Sequence, residues 1–485
     1  MDKINSVLKK YVTPSTHSRN QNYWHSFHYS SEQSLLFENL QLFLDSTLDE
    51  ARLNHASHVR GNILELTDLE DLDFLARGVL RRENSGFISY DKQRDHSAHT
   101  LYNYLLGFYI YENSKIIRES FTKHFALRRD SLDSLHEFDD VGLFGSIWPY
   151  VSLLHDIGYL FEGSLNPLEF KTHNEQIKVG GEVLNEFFSH HFWNTSSNTR
   201  IDSLTSKQII LNLCNQDSLR FDNNSILLLA DSLRIFPHLD TLLSSIPSLS
   251  HRNSPYYDVF DLWTFHFNKY NRKKMSKLVT NLKSYFEYQM TEGINGSGIR
   301  VFDHGVASGI IQFQYISYYY YLVLKLRDLI SDNNKKVNLT ERESNAILDF
   351  LPRIDEVIVN LENWWGVLIW ATAASALHNA LQDKTFKLLC RQNEYNYKNL
   401  SYSDDPLTYL GILVDILQEW DRFSVNKNSL FSKKSALQNT DVEIGIDSSS
   451  GLIKLRYSDP DVLKKIRDAL DESLSGWEKI ITLSN

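Results

Sequence analysis

Two stretches of twenty residues, 305–324 and 363–382, contain no charged side chain. They constrain this chain more than any other feature. Each is long enough to span a bilayer, but neither is apolar throughout. The first holds Ser308, Gln312, Gln314, Ser317 and the run Tyr318–Tyr321; the second holds Asn363, Thr372, Ser375, His378, Asn379 and Gln382. A lipid-facing helix has no partners for so many polar groups. A central helix of a large bundle has polar and aromatic neighbours that can satisfy them. The runs therefore predict two central helices of a mainly α protein, with no membrane association. His378 lies within the second run and His304 directly precedes the first.

Composition agrees with long helices. The 485 residues include only 20 Gly and 9 Pro, too few for a turn-rich or low-complexity chain, and the 27 Phe, 25 Tyr and 9 Trp supply a large core. Periodic apolar positions mark helices over 35–48, 64–80, 100–121, 179–188, 226–235, 278–290, 346–361 and 407–420. Near the end, 441–447 and 452–457 alternate around Ser448–Gly451 as a hairpin, and a helix over 459–477 enters through Asp459-Pro460. Three sections follow: an N-terminal helical section (1–88), a helical core (89–423) with a helical insertion at about 200–295, and a small C-terminal ββα module (424–485). Cys214 and Cys390 cannot form a disulfide framework and read as reduced thiols. No apolar leader core is present at the N-terminus, so the cytoplasm is expected. The net charge of −11 argues against wholesale coating of nucleic acid.

The chemistry-bearing residues recur as RDHSAHT (94–100), LLHDIGYLFEG (153–163), HNE (173–175), DHGVASG (303–309), ALHNA (376–380) and GILVDILQEWDR (411–422). Imidazole and carboxylate are the ligands of a divalent ion that activates water. His155 and Asp156 are neighbours, about 100° apart on a helix, so only the end of a buried helix can aim both at one point. An aspartate after the apolar residues Val151–Leu154 is costly to bury without a cation. Asp415 sits in a similar apolar stretch, and Asp421 on the same helix is the competing choice. Asp95 lies one turn before His99 and is placed to orient its ring.

This order of His, His-Asp on an apolar run, and a distant Asp resembles the HD superfamily of metal-dependent phosphohydrolases, over about residues 90–422. The resemblance implies an HD-type helical bundle core. It implies a primary metal site of His99, His155, Asp156 and Asp415 for one or two divalent ions (Mn, Mg, Fe, Co or Zn), with His96 as a neighbour and Asp156 placed to bridge to a second ion. His173, His304 and His378 would hold that second ion, contact phosphate or move protons; Glu162 and Glu182 are acid/base candidates. Arg94, Lys171 and Arg300 border these residues as phosphate contacts. GGEVLN (180–185) distantly resembles the second motif of deoxynucleoside-triphosphate triphosphohydrolases, with Lys178 and Val179 where that family has a histidine. The Gly-Tyr-Pro of HD-type cyclic-dinucleotide phosphodiesterases is missing after Gly158-Tyr159.

The leading functional expectation is a dNTP triphosphohydrolase, a nucleotidase used in antiviral nucleotide depletion. The alternatives are an HD-type phosphodiesterase or nuclease acting on cyclic or linear oligonucleotides, and a non-catalytic nucleotide sensor. Lys269, Arg272, Lys273, Lys274, Lys277 and Lys283, interleaved with Phe265, Phe267 and Tyr270, read either as a nucleotide-effector site or as a solvated face. A nucleotide is the expected partner and a homo-oligomer the expected assembly.

Overall fold

The computed structural model describes residues 1–13, 23–24, 34–46, 49–67, 69–84, 96–161, 181–188, 209, 233–236, 238–246, 258–291, 302–331, 340–355, 361–393, 395, 399–418, 420, 422–425, 434–438, 441–447 and 449–485. The protein is mainly helical. The two uncharged runs form its centre: the helix His304–Ser331 packs along the helix Ile369–Ala380, and the latter packs in turn on Asp140–Ser152 and Pro406–Leu417. Among the described residues no helix is long and apolar enough to cross a membrane.

Several of the polar groups that spoke against lipid find partners in the protein. Gln312 Nε2 donates to the carbonyls of Tyr150 and Leu154 (3.1 and 2.9 Å) and lies 3.0 Å from Ser375 Oγ. It thereby satisfies the Tyr150 carbonyl at the end of the Asp140–Ser152 helix and shares the Leu154 carbonyl with Ile157 N. Gln314 Nε2 does the same for the carbonyls of Leu233 and Ile235 at 2.8 and 2.9 Å. Trp263 Nε1 donates to Thr372 Oγ1 at 3.0 Å.

Local chemistry corrects several predicted boundaries. The 64–80 periodicity is two helices, Asp49–Leu66 and Glu70–Asn84. The 100–121 periodicity is also two, His96–Asn113 and Lys115–Arg129, because Ser114 leaves helical geometry and its side chain accepts from Ile117 N. The helix expected over 346–361 spans Glu341–Asp355, opened by a reciprocal box in which Thr340 N donates to Glu343 Oε2 and Glu343 N to Thr340 Oγ1.

The predicted hairpin is present as Val442–Ile446 paired antiparallel with Ile453–Tyr457, its turn helped by Gly451 at φ 71°, and the helix Pro460–Ser473 starts at the Asp459 cap. The module exceeds ββα in two ways. Ile481–Ser484 adds a strand parallel to Ile453–Tyr457, and the N-terminal Asp2–Lys3 pairs antiparallel with the outer edge. A further strand pair, Arg422–Val425 with Lys434–Gln438, lies in a stretch whose polar composition reads as a connection. The sheet is not detached from the core: Tyr457 donates its hydroxyl to Leu417 O at 2.7 Å, at the end of the Pro406–Leu417 helix.

Candidate metal centre

The Asp140–Ser152 helix stops just short of His155 and Asp156. Both residues occupy a turn, followed by a short 3-10 segment, Ile157–Leu160. Asp156 has φ −101° and ψ 1°, in the bridge region common among functional residues. The turn achieves what a continuous helix could not: the two neighbours face one cluster. His155 Nε2 lies 3.3 Å from Asp156 Oδ1 and 3.9 Å from Asp415 Oδ1.

His99 approaches from the first turn of the His96–Asn113 helix, with Nε2 at 2.9 Å from Asp415 Oδ1 and 3.9 Å from Asp156 Oδ2. The four residues expected to form a primary site are thus brought together. A second group forms against the same aspartate, because ligand atoms of Asp156, His304 and His378 lie within 4.8 Å of one another, as do those of His99, His155 and Asp156. Asp156 belongs to both groups. His304 Nε2 is 3.7 Å from Asp156 Oδ1, and its ring stacks on Tyr159 at 4.0 Å.

Small residues permit this convergence. A Cβ on Gly158 would fall 1.9 Å from His304 O, and one on Gly309 would fall 2.5 Å from Thr372 O. Gly158 N donates to Ser308 Oγ at 2.8 Å, which ties the turn carrying the aspartate to the helix carrying His304.

Three of the four histidines share one arrangement. His155 Nδ1 contacts Ser152 O at 2.9 Å, His378 Nδ1 contacts Ser375 O at 2.6 Å, and His99 Nδ1 contacts Gln418 Oε1 at 2.6 Å. Each partner is an acceptor, so Nδ1 carries the proton and Nε2 presents a lone pair towards the aspartates. Gln418 is itself held, since its Nε2 donates to Trp420 O at 2.6 Å. Burial lowers the pKa of His155, and it takes His378 to about 3, helped by neighbouring imidazoles; both rings stay neutral at pH 7.

Burial works in the other direction on Asp156; the imidazoles of His155, His96, His304 and His99 outweigh it and hold the carboxyl below its usual range only when they are protonated. With neutral rings, ionisation of this buried carboxyl needs another cation. Among the described residues it has no lysine or arginine nitrogen within 4 Å, only imidazoles. His155 Nε2, also buried, makes no hydrogen bond. Neutral rings cannot neutralise a buried carboxylate, and a divalent cation can. His155, His378 and Asp415 also lie near the C-terminal ends of three helices, whose carbonyl dipoles favour positive charge. The donor set fits a metal ion on every one of these counts.

The remaining candidates divide. Glu182 is exposed on the 181–188 helix and is not buried with the cluster. Glu162, His173, Arg94, Lys171, Arg300, Asp95, Asp421 and Cys214 lie outside the described residues; Cys390 is buried with a free thiol. His96 is buried, with Nε2 3.9 Å from Asp156 Oδ2. Much of the basic segment is engaged elsewhere: Lys274 pairs with Asp404, Lys283 with Asp258 and Asp261, and Lys277 lies over the Tyr395 ring.

Two residues that the sequence reading passed over belong to the surroundings. Gln418 orients His99; the only signal was its position three residues after Asp415. Arg60 is buried, paired with Asp73 at 3.0 Å and bonded to Ser97 Oγ, and with His96 and Asp156 it lines a void of about 10 Å³. That is room for about one water. No family model matches the chain, and neither a curated protein nor a solved structure matches it.

Proposed function

We propose that the chain is an HD-type metal-dependent phosphohydrolase acting on a nucleotide phosphate bond. The observation that carries this reading is the position of Asp156 between two histidine groups, His99–His155 and His304–His378. His99, His155, Asp156 and Asp415 would hold one divalent ion, and Asp156, His304 and His378 a second. Such ions acidify water and neutralise charge on phosphoryl oxygens. The protein's part is to fix neutral imidazoles by their Nδ1 protons, place Asp156 between them and surround the site with packed helices.

Release of triphosphate from a dNTP remains the first reaction to test. The shared aspartate favours a second reading, hydrolysis of a phosphodiester in a cyclic or linear oligonucleotide. Paired ions suit that step because they can steady both the attacking and the leaving oxygen. A nucleotide sensor without catalysis has less support, since simple binding does not need so many buried ionisable groups.

The test is metal analysis of the purified protein, then assays with dNTPs, NTPs, cyclic dinucleotides and single-stranded DNA. Inorganic triphosphate from a dNTP supports the first reading; a cleaved phosphodiester with intact dNTPs selects the second. If Asp156→Ala changes neither metal content nor any hydrolysis, the assigned site is wrong.

A further inference from the structure

Metal ligation gives His304 and His378 a role but leaves their neighbours Asp303 and Asn379 without one. Asp303 directly precedes the His304–Ser331 helix, and Asn379 follows His378 near the end of the Ile369–Ala380 helix. The two helices meet here with no side chain to separate them. A Cβ on Gly305 would fall 2.9 Å from His378 Cε1 and 3.0 Å from Asn379 Cβ. The His304 and His378 rings stand 5.5 Å apart, centre to centre.

Asp303 is buried and uses both carboxylate oxygens. Oδ1 accepts from Val306 N at 3.0 Å, a cap on the first turn of the helix. Ser, Thr or Asn would cap as well, so capping accounts for Oδ1 and leaves Oδ2 to be explained. Oδ2 accepts from Asn379 Nδ2 at 2.6 Å, across 76 positions of sequence. The same carboxylate is braced from a third side. The Tyr285 hydroxyl donates to Oδ2 at 3.3 Å, and Asp303 N donates to Gln289 Oε1 at 3.2 Å, both partners lying on the Lys273–Thr291 helix.

We infer that Asp303 and Asn379 form a clamp that sets the separation of His304 and His378, which makes Asp303 a positioning residue for the ion of the Asp156–His304–His378 group. The inference rests on the two-group reading of the metal centre. The bond joins the immediate neighbours of both histidines, whereas His99, His155 and Asp415 reach the cluster on other segments. Groups that hold a ligand in place tune its affinity for metal. Loosening this clamp should therefore act on one ion and spare the other.

Equilibrium dialysis of the metal-stripped full chain against Mn2+ at pH 8 tests the clamp without any assay of hydrolysis. The binding step absent from His304→Ala identifies the ion of that group. Asn379→Asp keeps the shape of a half-buried side chain but sets two carboxylates against each other, and like charges so close repel. It should weaken this step by about 10–100-fold and leave the other step within about three-fold of the parent. Asp303→Asn in that background places a donor opposite an acceptor again and keeps the cap on Val306, so it should return the affinity to within about three-fold of the parent. Packing alone predicts neither the loss nor the rescue, because Asp and Asn fill the same space. An unchanged affinity in Asn379→Asp, a loss that Asp303→Asn fails to restore, or equal weakening of both steps would overturn the clamp. A parent that binds fewer than two Mn2+ per chain would refute the two-group reading itself, and the clamp with it.

Discussion

Gly158→Ala is the sharpest perturbation of the proposed centre, because it adds one methyl group and removes no ligand. The new Cβ would lie 1.9 Å from His304 O and 2.8 Å from Ser308 N. An ordinary carbon–oxygen contact is about 3.3 Å, so the two segments must separate by about 1.4 Å. His304 Nε2 already stands 3.7 Å from Asp156 Oδ1, and the separation carries it farther away. His99 and Asp415 reach the cluster on other helices and stay in place. The variant should therefore lose the ion held by Asp156, His304 and His378 and keep the other. Its kcat/KM should fall by about 10²-fold, the usual consequence of a 1 Å misplacement, with overpacking lowering stability by about 1–3 kcal/mol. Elemental analysis per chain and steady-state kinetics on the substrate found by the panel give both readouts. Ser308→Ala is the control, since it removes the acceptor of Gly158 N without a clash and should retain both ions. If Gly158→Ala keeps both ions and activity within about two-fold, the close approach has no functional weight and the two-group reading fails.

Other perturbations separate the groups further. His304→Ala and His378→Ala should each release one ion per chain while Asp156→Ala releases both; equal losses in all three, by elemental analysis, would contradict a shared aspartate. Gln418→Ala frees the His99 ring and should weaken metal binding at the His99 group by about 10–100-fold, seen as a lower chelator concentration for half-removal. His266, like His124, is buried and depressed well below its usual value, chiefly by burial. The unfolded chain binds protons at these positions below about pH 6.5 and the folded chain does not, so stability is fully present above that pH and declines as pH falls. In urea titrations from pH 7 to 5, His266→Phe should reduce that slope by up to about 1.4 kcal/mol per pH unit; an unchanged slope would show that His266 takes up a proton in the folded state.

The clustering of histidines and aspartates was more legible in the sequence than the scaffold around it. His155-Asp156 was legible because a carboxylate after an apolar run has few cheap fates, and Asp415 was legible for the same reason. The central helices were readable from charge-free runs whose polar residues spoke against a lipid-facing helix. Gln418 was not legible, since its contact with His99 spans 319 positions and no local pattern encodes it. Helix breaks were missed where apolar periodicity continues across a cap: Ser114 interrupts a pattern that either one helix or two would produce. The N-terminal strand was missed because two residues, Asp2 and Lys3, carry no alternation; they become a strand only because Val442–Ile446 offers a free edge.

The charge distribution bears on where an anionic substrate can bind. In a chain of net charge −11, an anionic ligand needs a local reversal of sign. The basic segment at 269–283 is the obvious place for it in the sequence, yet Lys274 and Lys283 are matched by Asp404, Asp258 and Asp261. At the histidine cluster Asp156 is buried among neutral rings, and a divalent ion there would supply the reversal. Chelator should then destabilise the parent chain in thermal unfolding, and Asp156→Ala, which has no carboxylate to neutralise, should lose most of that dependence; equal destabilisation of both would contradict the reading.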